Sequence, residues 1–240
     1  MSKNNVNIVS NNLPTYILDQ HACVILNMTD RLRLIRFPPS IIDMIRQVII
    51  SNWPQGLNKE REEVDFYEFK LNGNPWWDPD DNAVSSRILM IHILSALYKH
   101  GWYILTATEI FKRFFDKDSL IFQFRIPQPE TSFFAISFND YDKLRLICVP
   151  HELIPLVQQT LGKTMIQQET WRDGGRVYQF KLHGQPWIGH GKEAIISQLK
   201  LLSLLDCLTK FGWKLYASID ISQGEDDKDT DSWFFRRDVQ

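Results

Sequence analysis

Two acidic clusters are the first candidates for chemistry. Asp116-Lys117-Asp118-Ser119 recurs later as Asp227-Lys228-Asp229-Thr230. Paired carboxylates can serve as nucleophile and as general acid or base in a hydrolysis. Asp and Ser/Thr at a turn also accept backbone N–H groups, which accounts for the same pattern without catalysis. Asp227, Asp229, Asp231 and Asp238 fall at positions 1, 3, 5 and 12 of a calcium loop. Ser232 stands where that loop needs glycine, Asp238 where it needs glutamate, and Trp233-Phe234-Phe235 runs through its middle. Gly189-His190-Gly191-Lys192, ahead of a helix, has the form of an anion cradle. Pro186 and Glu193 depart from a Walker loop, and the matching stretch Asp78-Pro79-Asp80-Asp81 would repel phosphate, so an anion site at His190 and Lys192 would belong to the second half alone. His21, His92, His100, His151, His183 and His190 form no HxxxH or HExxH pair, so neither a metal site nor a cofactor is expected. His92, on a helix rich in Ile and Leu, is expected in the core.

In form, the Asp-x-Asp element after Phe114-Phe115 resembles the paired aspartates of haloacid-dehalogenase phosphatases, where one attacks phosphorus and the other handles the proton. The resemblance implies a phosphate-ester hydrolase using Asp116 and Asp118, or Asp227 and Asp229. Those enzymes place the motif after the first strand of a parallel sheet. Here it lies between two late strands, and Glu225-Asp226 precedes the second occurrence. A different candidate surface is the pair of Gly-x-Pro-Trp loops. Trp76, Trp77 and Trp187 follow a proline between a strand and a helix, where they either pack over the helix start or rim a groove for a ligand or partner. Trp77-Asp78 in one loop and Ile188-Gly189 in the other would give the two grooves different chemistry.

These loops belong to an internal repeat. Phe69-Lys70-Leu71-Asn72-Gly73-Asn74-Pro75-Trp76 returns as Phe180-Lys181-Leu182-His183-Gly184-Gln185-Pro186-Trp187, an offset of 184 − 73 = 111. Lys99-His100-Gly101-Trp102 returns as Lys210-Phe211-Gly212-Trp213 at the same offset. Asp30-Arg31-Leu32-Arg33-Leu34-Ile35 returns as Asp142-Lys143-Leu144-Arg145-Leu146-Ile147, one residue further on. Four blocks in one order establish a tandem duplication. The expected division is a flexible N-terminus over 1–14, a first copy over 15–126 and a second over 127–240, the repeat proper starting at 131. A feature found in only one copy is not required by the fold.

Each copy reads as ββαβαββ, a two-layer α+β sandwich with a mostly antiparallel sheet and both helices on one face. Pro38-Pro39-Ser40 opens the first helix, with Ile41, Met44, Ile45, Val48 and Ile49 forming its apolar stripe. Pro150 and Pro155 predict that its counterpart starts late or kinks. The long helices, about 83–100 and 193–211, end on Gly101 and Gly212 at the left-handed C′ position. The linker, about 125–131, is short, so the copies are expected to pack together as a pseudo-symmetric pair, as in a homodimer.

A formal net charge of −2 supplies no global field toward nucleic acid or an anionic membrane. Basic residues form no stripe with aromatics, and Arg31, Arg33, Lys143 and Arg145 read as solvated charges. Cys23, Cys148 and Cys207 are far apart in apolar strings, as buried reduced thiols are. The polar start MSKNNVNIVSNN contains no secretory h-region and no apolar run spans a bilayer, which points to the cytoplasm, with the nucleus as the alternative. The leading expectation is a non-catalytic interaction or ligand-binding protein, taking a protein partner or a small molecule at Trp76, Trp77, Trp187, His190 and Lys192. The alternative is the hydrolase.

Overall fold

Alternation of apolar and polar residues sets the first hairpin, β1 (His21–Asn27) and β2 (Arg31–Ile35), whose Val24, Leu26, Leu32 and Leu34 turn inward. The structure is a computed structural model that describes residues 20–77, 81–109, 116–221 and 231–237; the expected flexible stretch 1–14 lies outside them. After the hairpin come α1 (Pro39–Asn52), β3 (Leu57–Glu62), β4 (Tyr67–Leu71), α2 (Asp81–Lys99), β5 (Trp102–Thr108) and β6 (Asp116–Phe124). The second copy repeats the series as β7 (Phe133–Asn139), β8 (Lys143–Ile147), α3 (Ile154–Leu161), β9 (Ile166–Arg172), β10 (Val177–Leu182), α4 (Lys192–Lys210), β11 (Trp213–Ile219) and β12 (Ser232–Arg237).

The copies form two six-stranded antiparallel sheets, ordered β3-β4-β2-β1-β6-β5 and β11-β12-β7-β8-β10-β9. The class is α+β by tandem duplication. The element order differs from expectation, because each copy is ββαββαββ. The additional strands, β3 and β9, are edge strands of composition LNKERE and IQQETWR, exposed along most of their length. An edge strand with no buried face needs no apolar alternation, so its sequence carries no strand signal.

Proline at the first helical position starts α1, and Ile41, Ile45 and Ile49 bury its stripe. In the second copy a 3₁₀ turn over His151–Leu153 precedes α3, which begins only at Ile154, as its two prolines require. The long helices end as their glycines dictate. Gly101 and Gly212 have φ of +87° and +79°, their N–H groups bond to Tyr98 O and Thr209 O at 3.0 Å, and Trp102 and Trp213 are buried beside them.

The two copies do not form a symmetric pair. Helix α2 belongs to the core of its own sheet and also to a core with the opposite face of the second sheet. Phe133, Ala135, Ile147, Val177 and Phe234 from that face join it in one cluster. Arg87 Nε donates to Ser232 Oγ at 2.7 Å, Tyr98 meets Phe133 and Tyr216 edge-on, and Tyr216 Oη accepts Ile104 N–H at 3.1 Å. The arrangement is head to tail: a helix of one copy covers the sheet of the next. A helix apolar all round is expected to be buried on both sides, which α2 is. Arg145, expected on a solvated face, is buried there with its Nε bonded to Gln179 Oε1 at 2.9 Å.

Candidate functional site

The Gly-x-Pro-Trp loops perform one structural task in both copies. Trp76 Nε1 donates to Arg31 O at 2.9 Å and Trp187 Nε1 donates to Lys143 O at 2.9 Å, pinning each loop to the start of the second strand of its copy. Trp76 is 0 % exposed, so no surface of its indole is left for a ligand. Trp77 and Trp187 are half-buried. His190 and Lys192 are exposed at the turn into α4, with Gly191 between them at φ +56°.

The two loops differ in what lies beneath them. In the first copy Trp53, 2 % exposed, caps the end of α1 and donates Nε1–H to Asn72 O at 2.9 Å. A Cβ added at Gly73 would run into the Gln55 side chain, so the groove under this loop is filled by Gln55 and Trp53. In the second copy the residue capping the corresponding helix is Gly162, φ +84°. A Cβ added at Gly184 would meet nothing within 4 Å. The space is a cleft of about 290 Å³ bounded by Leu161, Gly162's neighbours Thr164 and Met165, the loop residues His183 to Pro186, and Glu193, Ile196, Ser197 and Lys200 of α4. Lys200 Nζ, on its wall, donates to Thr160 O at 3.3 Å.

The cleft pairs an apolar floor with one ammonium, one carboxylate, an imidazole and a buried hydroxyl. That chemistry suits a small amphipathic group, at the lower end of ordinary ligand-site volumes. Its residues escape a sequence reading because the end of α3 is out of step with α1: the backbone bonds Asn72 N→Gly56 O and His183 N→Met165 O mark equivalent points, which sets Gly162 opposite Trp53. The readable signal is the loss of a tryptophan between otherwise matching blocks.

Asp118 Oδ2 accepts the backbone N–H of Asp220 at 2.8 Å and so joins the two copies. The sheet register sets Ser119 opposite Thr108 and Ser232 opposite Ile219, so the last hairpin of the second copy is two residues longer than the sequence match implied. Asp227 and Asp229 lie outside the described residues, and the side chain of Asp116 is likewise not described. Among the described residues no three His, Cys, Asp or Glu side chains converge as metal ligands, and no helix is long and apolar enough to cross a membrane. His92 is exposed rather than in the core, though its apolar surroundings still lower its pKa. The three cysteines are free and half-buried, and burial pushes the Cys23 thiol up to about 11 and raises that of Cys148.

Against known proteins, one domain-family model matches the chain twice, over residues 20–123 and 132–236. No curated protein matches it.

Proposed function

Because the chain belongs to that one domain family, with two copies of the domain in tandem, we propose that it is a non-catalytic binding protein in which the copies have divided their work. The first copy is the scaffold, its groove filled by Trp53 and Gln55. The second keeps the same groove open as the ligand site. The observation that carries this reading is the contrast between Trp53 and Gly162 at equivalent helix ends. A duplicated fold needs neither residue in particular, so the open groove serves something other than folding.

In this reading Leu161, Met165 and Ile196 take the apolar body of a small molecule or a protruding partner side chain. Lys200 and Glu193 orient its polar ends, and His183 and Gln185 offer hydrogen bonds from the loop. Lys192 precedes the lining residue Glu193 at the start of α4, and with His190 it would steer an anionic end toward the cleft. In this reading Asp118 serves to join the copies through its bond from Asp220 N–H.

The test is a small-fragment screen by ligand-observed NMR on the wild-type protein and on Thr164→Trp, which fills the cleft from its exposed wall. Fragments should bind the wild type and lose at least tenfold in affinity to the variant. Hits that survive the substitution, or a screen without hits, would refute the proposal.

A further inference from the structure

The internal stacking of the two copies leaves each half of the same contact unused at the two ends of the molecule. On the helix side, the α2 residues Ile88 and Ile91 are 4 % and 3 % exposed against the second sheet. Their equivalents on α4, at the 111-residue offset, are Leu199 and Leu202, 58 % and 56 % exposed. Arg87, which donates to Ser232 Oγ, corresponds to Gln198, also a donor and also exposed. These residues lie on the side of α4 away from the cleft wall.

On the sheet side the equivalence is a matter of register. The row Phe234–Ala135–Ile147, which α2 covers, corresponds to Ile121–Cys23–Ile35 in the first sheet. The buried pair Arg145–Gln179 corresponds to Arg33–Glu68, whose Nε···Oε2 distance is 2.6 Å. Ser232, acceptor for Arg87, corresponds in register to Ser119, which is already buried in its own copy at 1 % exposure. Tyr216, which packs on α2, corresponds to Leu105, 47 % exposed. The first sheet therefore repeats one apolar row and the central arginine pair that help to make the second sheet a seat for a helix, with His21 standing in the place of Phe133.

We propose that a second copy of this chain occupies these surfaces: α4 of one molecule seats on the outer face of the β1–β6 sheet of the next, as α2 seats on the second sheet within the molecule. Such a contact joins unlike surfaces, so each added molecule presents a fresh free end, and the product is an open chain or a ring rather than a closed dimer. The inference rests on the internal interface and not on the ligand cleft, which lies on another side of α4.

The decisive experiment is sedimentation velocity on the full chain, alone and with one-sided substitutions. Leu199→Asp places a carboxylate on the exposed helix face, and Leu105→Asp places one on the exposed edge of the sheet face. Neither position is buried within the molecule, and circular dichroism melts confirm that each variant is folded. The wild type should grow with concentration through species beyond twice its 28.3 kDa mass. Each variant alone should stay monomeric, and the two mixed should form a dimer that grows no further, because one intact helix face meets one intact sheet face. A wild type that remains monomeric at every concentration overturns the proposal, since something else, such as residues 1–19 or a different protein, then covers these faces. A dimer abolished by Leu199→Asp, unaffected by Leu105→Asp and not restored by mixing would overturn it in favour of a symmetric helix-to-helix contact.

Discussion

Replacing Trp53 by alanine would turn the closed groove of the first copy into an imitation of the open one in the second. The indole is 2 % exposed and its N–H bonds to Asn72 O at 2.9 Å. Truncating a buried tryptophan costs about 3–5 kcal/mol, which covers lost transfer energy and an incompletely collapsed cavity. Losing the hydrogen bond to Asn72 O contributes about 1 kcal/mol of that range. For a chain of this size 1 kcal/mol moves the midpoint by about 2–4 °C, so Tm should fall by roughly 6–20 °C. Urea unfolding would measure the loss directly, with an unchanged m-value showing that the folded state remains as compact. The new cavity should also bind indole, and indole at 100 times its Kd would restore about 2.7 kcal/mol. A loss below about 1 kcal/mol, with no response to indole, would mean that Trp53 does not fill the groove, and the contrast between the copies would lose its basis.

Other expectations follow from particular contacts. Asp118→Ala should cost about 1.5–3 kcal/mol in urea unfolding through the lost charge-assisted bond to Asp220 N–H, while Asp118→Asn, which keeps an acceptor oxygen, should cost less than half of that. Gly212→Ala should cost about 1–2 kcal/mol for its left-handed backbone, and Gly101→Ala clearly more, because a Cβ there would collide with Arg125 O whereas Gly212 has open space. The Cys23 thiol, raised by burial from 9.0 to about 11, favours the protonated form in the folded state. Its contribution to stability is complete below about pH 9 and is lost as the pH rises toward about 11, so unfolding free energy should decline over that window and decline less steeply in Cys23→Ala.

Much of the architecture is legible in the residues, for reasons that also explain what is not. The duplication, the two helices and their glycine stops rest on local chemistry: periodic apolar positions, proline at a helix start and left-handed glycine at its end. Strands β3 and β9 are invisible because nothing buries them, and polar edge strands resemble loops. The stacking escapes a local reading because Ile88 and Leu199 are the same kind of residue at the same helical position, and only the neighbouring sheet makes one core and the other surface. Arg145 reads as a surface charge for the same reason. The cleft is hidden by an offset: repeats aligned without gaps never set Gly162 against Trp53. Of the residues singled out by their types, Trp76 and Trp187 pin their loops through indole N–H bonds, and none of Trp76, Trp77, Trp187, His190 and Lys192 lines the cleft.

The double burial of α2 has a consequence for synthesis on the ribosome. Helix α2 emerges after four of the six strands of its own sheet, but the sheet that covers Ile88 and Ile91 is finished only when β12 has been made, near the far end of the chain. At about 5–20 residues per second that interval is on the order of ten seconds. Throughout it the nascent first copy shows water the same kind of apolar helix face that α4 shows in the finished protein. Neighbouring ribosomes on one message would bring such faces close to completed sheets of other chains, so correct pairing within the chain depends on the short 125–131 connection holding the second copy nearest.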